Sequence, residues 1–336
     1  MPPPSLRAIK HGGSGAKMKS RLLAASLLAA ITGLNTYPAA AAPGDEALKD
    51  VRILAADQMQ GRATGTEGAA AARLHILTRF AEIGLLPAYS RFEAPFTFER
   101  PDSSSLEGVN LVGQIPGLEA GPALLVMAHY DHLGVKDGEV FNGADDNASG
   151  VAGLLAIAEA FAAEPPRHTV LLAVLDAEEL GLAGAKAFAA NPPAPLSQIA
   201  LAINLDMISK SDKGELYAAG SAHFPGLKPH LEALAGQAPV KLRLGHDGPP
   251  WTGHDDWSDA SDHGALGAAG VPWVYFGVED HPEYHQPTDD SDTIPQAFFT
   301  DAVATVILAA RRFDAELSAI AATLNRPGAA DEGASR

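Results

Sequence analysis

An uninterrupted apolar segment that runs into charged residues constrains the fold of this chain more than any other feature. Residues 123–128, ALLVMA, contain no polar side chain, which is typical of a strand buried on both faces of a sheet. The stretch that follows, HYDHLGVKDGEVFNGADD, begins with His129 and ends with Asp145 and Asp146. Because an unpaired carboxylate is costly to bury, this stretch predicts either a metal site or a cluster of buried ion pairs.

Apolar strands alternate with helices after residue 122, which predicts a doubly wound α/β fold with a mixed sheet that is parallel in its centre. The predicted strands cover residues 123–129, 169–175, 199–205 and 271–276. A helix that is apolar nearly all round, 148–163, separates the first two strands and is expected to be buried.

The remaining segments have weaker patterns. Helical spacing of apolar residues predicts two helices before this region, within 45–59 and 64–84, with Thr64 and Glu67 as a capping box and Gly84 as the stop. Further predictions are two antiparallel edge strands near 92–98 and 108–117, loops with one hairpin and one helix over the site at 207–260, and a last helix at 296–323.

The amino-terminal part has the layout of a secretory signal peptide. Residues 17–42 have a basic start, an apolar centre and a small-residue end, and the apolar run 22–34 is too short for a membrane span. We therefore expect translation to begin at Met18 and the protein to be exported to the periplasm or beyond, without a stable membrane anchor. Residues 1–42 would then precede a single catalytic domain, 43–324, and a disordered tail, 325–336.

Composition excludes several classes of partner. Residues 1–42 hold five basic residues and no acidic one, so their removal takes the formal charge from −17 to −22. Such an acidic surface argues against nucleic acid or anionic lipid as a partner. The chain has no cysteine and therefore no disulfide or cysteine-linked lipid anchor. A monomer is the favoured oligomeric state.

Each predicted central strand ends in charged residues, and in a parallel sheet these ends face one crevice. The residues concerned are His129 and Asp131 after the first strand, Asp176, Glu178 and Glu179 after the second, Asp206 after the third, and His285 beyond the last. Histidines with carboxylates suit zinc, with manganese or cobalt as second choices, and the number of acids favours two ions that share a carboxylate. No lysine or arginine adjoins these motifs, so we expect metal to supply the positive charge.

Five motifs carry a family resemblance: AHYDHLG, GADDNASG, DAEELGLAGA, NLDM and EYHQPTDD, in this order. Together they resemble the co-catalytic di-zinc aminopeptidases, metallopeptidase family twenty-eight. The resemblance implies a zinc-exopeptidase fold, two Zn²⁺ ions, and peptide substrates with a free amino terminus.

When the motifs are matched one by one, the resemblance implies a role for each residue of the site. His129 and Asp206 would bind one metal, Glu179 and His285 the other, and Asp146 would bridge them, with a bond to Asn147 that is usually cis in this family. Glu178 would be the general base, Asp131 would orient the His129 imidazole, and Tyr284 would hydrogen-bond the oxyanion. Surface or supporting roles are expected for four neighbouring histidines, His132, His254, His263 and His281. Asp145 is expected to shape its loop, Asp176 to be a turn carboxylate, and Asp262 to be structural or to face the substrate.

Three other functions share parts of this pattern. A glutaminyl cyclase shares this fold but often has tryptophan before the last histidine, where this chain has Tyr284. Di-zinc deacylases and carboxypeptidases insert a separate domain of about a hundred residues between the third-strand aspartate and the last histidine, and the interval from Asp206 to His285 leaves no room for one. A non-catalytic binding module on the same fold would be expected to lose ligands, whereas this chain has all five. We therefore expect an aminopeptidase.

Overall fold

The computed structural model describes Met1 and residues 43–324, and the predicted signal segment and tail lie outside the described residues. The strands are β1 (Leu86–Pro87), β2 (Glu93–Glu99), β3 (Ser105–Ile115), β4 (Ala123–His129), β5 (Gly134–Lys136), β6 (Glu139–Phe141), β7 (Val170–Leu175), β8 (Ile199–Leu205), β9 (Glu215–Ala219), β10 (Lys241–Leu244) and β11 (Trp273–Gly277). The α-helices are α1 (Pro43–Leu54), α2 (Glu67–Ile83), α3 (Gly150–Ala163), α4 (Ala183–Ala190), α5 (Lys228–Ala235), α6 (Asp262–Ala268) and α7 (Gln296–Thr323). No helix in the described part is long and apolar enough to cross a bilayer.

Four parallel strands form the centre of the main sheet, in the order β7-β4-β8-β11. Every residue of β4 and β8 is buried, because helices cover both faces of a parallel sheet. The predicted doubly wound fold is therefore confirmed. β4 and β8 have the predicted bounds, β7 begins one residue later than predicted, and β11 is displaced by one to two residues.

Antiparallel strands extend the sheet on both sides. β3 pairs with β7 and also carries β1 and β2, so the predicted antiparallel pair is present, although β3 lies inside the sheet rather than at its edge. On the other side β9 runs antiparallel to β11, and β10 runs parallel to β9. The hairpin predicted within 207–260 is wrong, because α5 carries the chain back between β9 and β10 and makes them parallel.

Helices pack on both faces of the sheet. α3 contacts α1, α2 and α7, while α4 contacts α6. Residues Leu154, Ile157 and Phe161 of α3 are at most 1% exposed, as the apolar sequence of this helix predicts. Each such side chain stabilises the fold by about 1.5–3 kcal/mol. The helix α3 therefore anchors the loop that precedes it, which carries Asp145 and Asp146.

The predicted capping box of α2 is wrong. The cap is Thr66, whose hydroxyl accepts a hydrogen bond from the backbone N–H of Ala69. Thr64 instead donates its hydroxyl hydrogen to the buried carboxylate of Asp176 at 2.7 Å. Gly84 ends the helix as predicted, with a φ of 83° that favours glycine.

Candidate metal centre

The four central strands bring the predicted site residues to one edge of the sheet. β4 ends at His129, β7 leads into the segment with Glu178 and Glu179, and β8 leads into Asp206. His129 pairs in register with Leu175, the last residue of β7, so the strands end at nearly the same level. The long loop after β11 returns to this edge with His285.

One cluster joins the ends of β4 and β8 to the loop before α3. The Nε2 atom of His129 lies 3.2 Å from Oδ1 of Asp206 and 3.5 Å from Oδ1 of Asp146. All three side chains are buried. Their ligand atoms face one another closely enough to hold a single ion.

A second cluster uses the other oxygen of Asp146. The Nε2 atom of His285 lies 3.0 Å from Oδ2 of Asp146 and 3.5 Å from Oε2 of Glu179. The carboxylate of Asp146 therefore lies between the two histidines, with one oxygen directed to each. This is the geometry expected of a carboxylate shared by two ions.

Two neighbours fix the position of Asp146. Asp289 accepts hydrogen bonds from the backbone N–H groups of Asp145 and Asp146 at 3.0–3.1 Å. The Asn147 side chain donates to the carbonyl of Leu205, at the end of β8, and accepts from the N–H of Met207. The Asp146–Asn147 peptide bond is cis, as the family resemblance implied.

Comparison with known proteins identifies the family of this chain. The sequence profile described as peptidase family M28 matches residues 110–310, which include all five predicted ligands. The chain belongs to peptidase family M28. It is 36% identical over 116 residues to a vacuolar membrane protease of Clavispora lusitaniae, a match that covers 34% of this chain and 11% of that much longer protein.

Solved structures similar to this M28 chain include two enzymes with different activities. A leucine aminopeptidase precursor from Bacteroides thetaiotaomicron has a TM-score of 0.65 and 20% identity, over 79% of this chain and 95% of that one. A glutaminyl cyclase from Porphyromonas gingivalis has a TM-score of 0.67 and 20% identity, over 81% and 98% of the two chains. At this identity the likeness establishes the fold alone.

Asp131 of the M28 chain contacts residues at the end of β4 and after the end of β7. The Nδ1 atom of His129 lies 3.2 Å from the backbone carbonyl of Asp131 and 3.6 Å from its carboxylate. The same carboxylate accepts hydrogen bonds from the N–H groups of Glu178 and Glu179, at 3.0 and 3.3 Å. It therefore positions the backbone of both glutamates in addition to contacting the histidine, which sequence reasoning did not foresee.

The electrostatics of the centre favour added positive charge. Burial raises the pKa of the Glu178 carboxyl well above its usual value, and nearby Asp262 and Asp206 raise it further. Hydrogen bonds to Asp146 and Glu179 raise the pKa of His285 to about 10. Burial also raises the pKa of Asp262 to about 8, and neither oxygen of this carboxylate has a hydrogen-bond partner among the described residues. Oxygen and imidazole ligands in such surroundings suit a divalent cation.

A buried arginine corrects the expectation that no basic residue approaches these motifs. Arg62 is completely buried and donates hydrogen bonds to the carbonyls of Tyr130, Asn142 and Gly143 at 2.6–2.9 Å, and to that of Leu54. Burial lowers its pKa to about 10, so the guanidinium stays charged at neutral pH. Its hydrogen bonds go to carbonyl groups rather than to ligand carboxylates, so it braces the loops that carry the site.

Two aromatic residues adjoin the second cluster. The ring of Tyr284 is half-buried and stacks on that of His285, with centroids 3.9 Å apart. His132, expected at the surface or supporting a ligand, is buried, and its Nδ1 atom lies 2.8 Å from Oε1 of Glu179. Its Nε2 atom has no hydrogen-bond partner within the described residues. His132 therefore contacts a predicted ligand directly.

The other neighbouring residues have structural partners. His281 contacts Asp145 at 2.9 Å, His263 contacts the carbonyl of Trp257, and His254 is exposed and contacts Asp280. Asp176 was expected as a turn carboxylate but is completely buried, where it accepts hydrogen bonds from Thr64, Val109 and Tyr130. Asp176 follows β7, Val109 lies on β3, and Thr64 lies before α2. The Asp176 carboxylate therefore connects these segments to the end of β7.

Proposed function

We propose that this chain is a metal-dependent aminopeptidase that hydrolyses the amino-terminal peptide bond of peptides. The observation that carries the proposal is the position of Asp146 between two histidine–carboxylate pairs, with Oδ1 facing His129 and Oδ2 facing His285. A carboxylate shared in this way is characteristic of co-catalytic two-metal hydrolases. Membership of peptidase family M28 supports the same reaction class.

The residues fit two zinc ions. His129 and Asp206 would hold one, Glu179 and His285 the other, and Asp146 would bridge them. In the described part of the chain, these five side chains form ion pairs only with one another or with Asp131 and His132. No lysine or arginine therefore forms an ion pair with these acids in that part of the chain, although the charged Arg62 lies near enough to interact with Asp146 and Glu179. The donor set of imidazoles and carboxylates is one that zinc accepts.

The chain's own groups account for the proton transfers. When bound, the ions polarise the substrate carbonyl and lower the pKa of the attacking water. Glu178 takes the proton of that water as a general base and delivers it to the leaving amine as a general acid. Asp131 holds the Glu178 backbone in place, and the Tyr284 hydroxyl donates a hydrogen bond to the developing oxyanion.

One experiment tests the proposal. The chain from residue 43 onward is purified, its metal content is counted, and a panel of aminoacyl anilides is assayed with and without chelator. We expect cleavage that chelator abolishes and that zinc or cobalt restores. Equal hydrolysis of amino-terminally acetylated peptides would contradict aminopeptidase action.

A glutaminyl cyclase is the alternative that the same assay addresses. Cyclases are among the similar solved structures, but Tyr284 stands where those enzymes often have tryptophan. Cyclisation of a glutaminyl peptide without anilide hydrolysis would support the cyclase instead.

We also propose that the protein is exported. The support is the layout of residues 17–42, with its basic start, apolar centre and small-residue end. Expression of the full chain, fractionation of the cells and sequencing of the mature amino terminus would test this. An uncleaved chain retained in the cytoplasm would contradict it.

A further inference from the structure

Two histidines approach the carboxylate of Glu179, one at each oxygen. The Nε2 atom of His285 lies 3.5 Å from Oε2, and the Nδ1 atom of His132 lies 2.8 Å from Oε1. The centroids of the two imidazole rings are 5.8 Å apart. His285 is a predicted metal ligand, whereas His132 has no part in the proposed proton transfers. The role of His132 therefore depends on what its Nδ1 atom does at Oε1.

The short separation at Oε1 indicates a hydrogen bond rather than two atoms that share an ion. Two ligand atoms of one tetrahedral zinc, each bound at about 2.0–2.1 Å, lie about 3.3–3.4 Å apart. The predicted ligand pairs, which have His129 or His285 as the nitrogen donor, are separated by 3.0–3.5 Å. The 2.8 Å between His132 and Glu179 is shorter than any of these and is typical of an N–H group that donates to a charged oxygen.

His132 is the donor of this hydrogen bond. An ionised carboxylate only accepts, so the hydrogen lies on Nδ1, which then has no lone pair with which to bind an ion. The Nδ1 atom lies 3.6 Å from Oδ2 of Asp146, which is too far for a second hydrogen bond. Among the described residues, Nδ1 therefore donates to Glu179 alone.

The backbone before Asp146 holds the imidazole of His132 in place. The side chain of His132 is completely buried. Gly143, with a φ of 58°, lies directly against the ring, and a Cβ atom at this position would stand 2.5–2.6 Å from Cδ2 and Cγ of His132. The carbonyl of Gly143 in turn accepts a hydrogen bond from Arg62 at 2.9 Å. The ring is therefore confined between this loop and the Glu179 carboxylate.

The hydrogen bond leaves one oxygen of Glu179 available to an ion. Oε1 is occupied by His132, whereas Oε2 lies on the side of His285, which also faces Oδ2 of Asp146. A carboxylate that lacks such a donor can rotate or bind an ion through both oxygens. Groups that orient a metal ligand commonly change the metal affinity by about 10- to 100-fold.

We propose that His132 is a positioning residue whose Nδ1–H group holds Oε1 of Glu179, so that this ligand binds its ion through Oε2 alone. The inference rests on the proposed two-metal aminopeptidase site, in which His129 and Asp206 hold the first ion and Glu179 and His285 the second. Within the described structure His132 forms neither a hydrogen bond nor an ion pair with His129 or Asp206. Loss of His132 should therefore weaken the second ion and spare the first.

Calorimetric titration of the metal-free chain with Zn²⁺ tests this asymmetry. We expect His132→Leu, which removes the donor but keeps an apolar side chain, to weaken the second ion by about 10- to 100-fold and to leave the first unchanged. His132→Asn places an amide N–H group near the position of Nδ1 and should restore most of the affinity. His132→Gln places its amide nearer the position of Nε2 and should not.

The control variant is His254→Leu, which removes an exposed histidine that pairs with Asp280 and should leave the affinity for both ions unchanged. Thermal unfolding of the metal-free variants shows whether each one is folded. Unchanged affinity for the second ion in His132→Leu would overturn the inference, as would a loss that His132→Asn does not restore.

Two further outcomes separate this inference from the proposed function. Saturation of the wild type at one ion would overturn the role of His132, whether or not aminoacyl anilides are hydrolysed. A selective loss of the second ion in His132→Leu that His132→Asn restores, in a chain that hydrolyses no anilide, would overturn the proposed function and leave the role of His132 supported.

Discussion

The carboxylate of Asp131 accepts a hydrogen bond from the backbone N–H of Glu178 at 3.0 Å. The first residue follows β4 and the second follows β7, so this bond joins two neighbouring strand ends. It places the proposed general base relative to a histidine that is a predicted ligand. The Asp131 side chain is buried, so water does not compete for this hydrogen bond.

Asp131→Asn should lower kcat by about 10- to 100-fold, the usual range for groups that orient a metal ligand. The amide keeps the size of the side chain but loses the charge that faces His129 and the two backbone N–H groups. Metal affinity, measured by competition with a chelating dye, should also fall. A variant with lower thermal stability but normal kcat and metal affinity would reduce Asp131 to a purely structural role.

Glu178→Gln should retain its metal content and lose activity by at least about 10²- to 10⁴-fold, because glutamine cannot accept the proton of the attacking water. Metal analysis and anilide kinetics measure the two properties on one sample. Glu164→Gln, which alters an exposed carboxylate at the end of α3, is the matched control and should be fully active. Near-normal turnover in Glu178→Gln would remove this residue as the base.

Chelation should lower the melting temperature as well as the activity. Ions that bind only the folded chain stabilise it by mass action, by about 2.7 kcal/mol when the free ion is at 100 times its dissociation constant. Calorimetric scans before and after chelation, followed by titration with zinc, measure the effect. Saturation at one ion per chain would contradict the shared role of Asp146.

Arg62→Met should destabilise the fold by about 3 kcal/mol or more, because it leaves four buried carbonyl groups without their donor. Urea unfolding of the metal-free protein measures the change. Arg52→Met on α1 is the control, since Arg52 is exposed, and its effect should stay within about 0.5 kcal/mol. Equal stability of the two variants would show that Arg62 does not brace the site loops.

Glu215 should contribute a pH-dependent part of the stability. A hydrogen bond from Lys241, with others from Tyr217 and Arg243, lowers the pKa of Glu215 to about 2. Because the folded pKa lies below the ordinary value, the contribution is complete above about pH 4.5 and is lost as the pH falls towards 2. Both basic partners are about half exposed, so solvent limits the contribution to about 1 kcal/mol.

The comparison with Glu215→Gln isolates this group. Urea unfolding of the metal-free wild type and variant at pH 7, 4 and 3 should give a difference that shrinks in acid. A difference in unfolding free energy that stays constant over this range would contradict the assignment.

The central sheet could be predicted from the sequence because parallel strands that are buried on both faces consist of consecutive apolar residues. β4 and β8 could be bounded to the residue, and their polar ends indicated where His129 and Asp206 would meet. The position of β10 could not be predicted in the same way. Its sequence, KLRL, alternates like an edge strand and does not show whether α5 returns the chain to a parallel or an antiparallel position.

The residues that sequence analysis missed act through backbone groups. Arg62 binds carbonyls, and Asp289 binds N–H groups, so neither has a partner side chain that a motif could suggest. Asp289 does stand within EYHQPTDD, which is the one signal that could have indicated it. The contact of His132 with Glu179 was hidden for a different reason, because it depends on how two loops from separate strands pack together.

The hydrogen bonds that Asp289 accepts from the loop of Asp146 also affect when the site can form during synthesis. Residues that meet at the centre are drawn from positions 129 to 289, and the last of them holds the loop of Asp146, the carboxylate that we propose as the bridge. A nascent chain that has not yet emerged beyond residue 289 lacks both His285 and this support. The complete set of predicted ligands can therefore assemble only after residue 289 has emerged, and a shorter nascent chain carries no complete site.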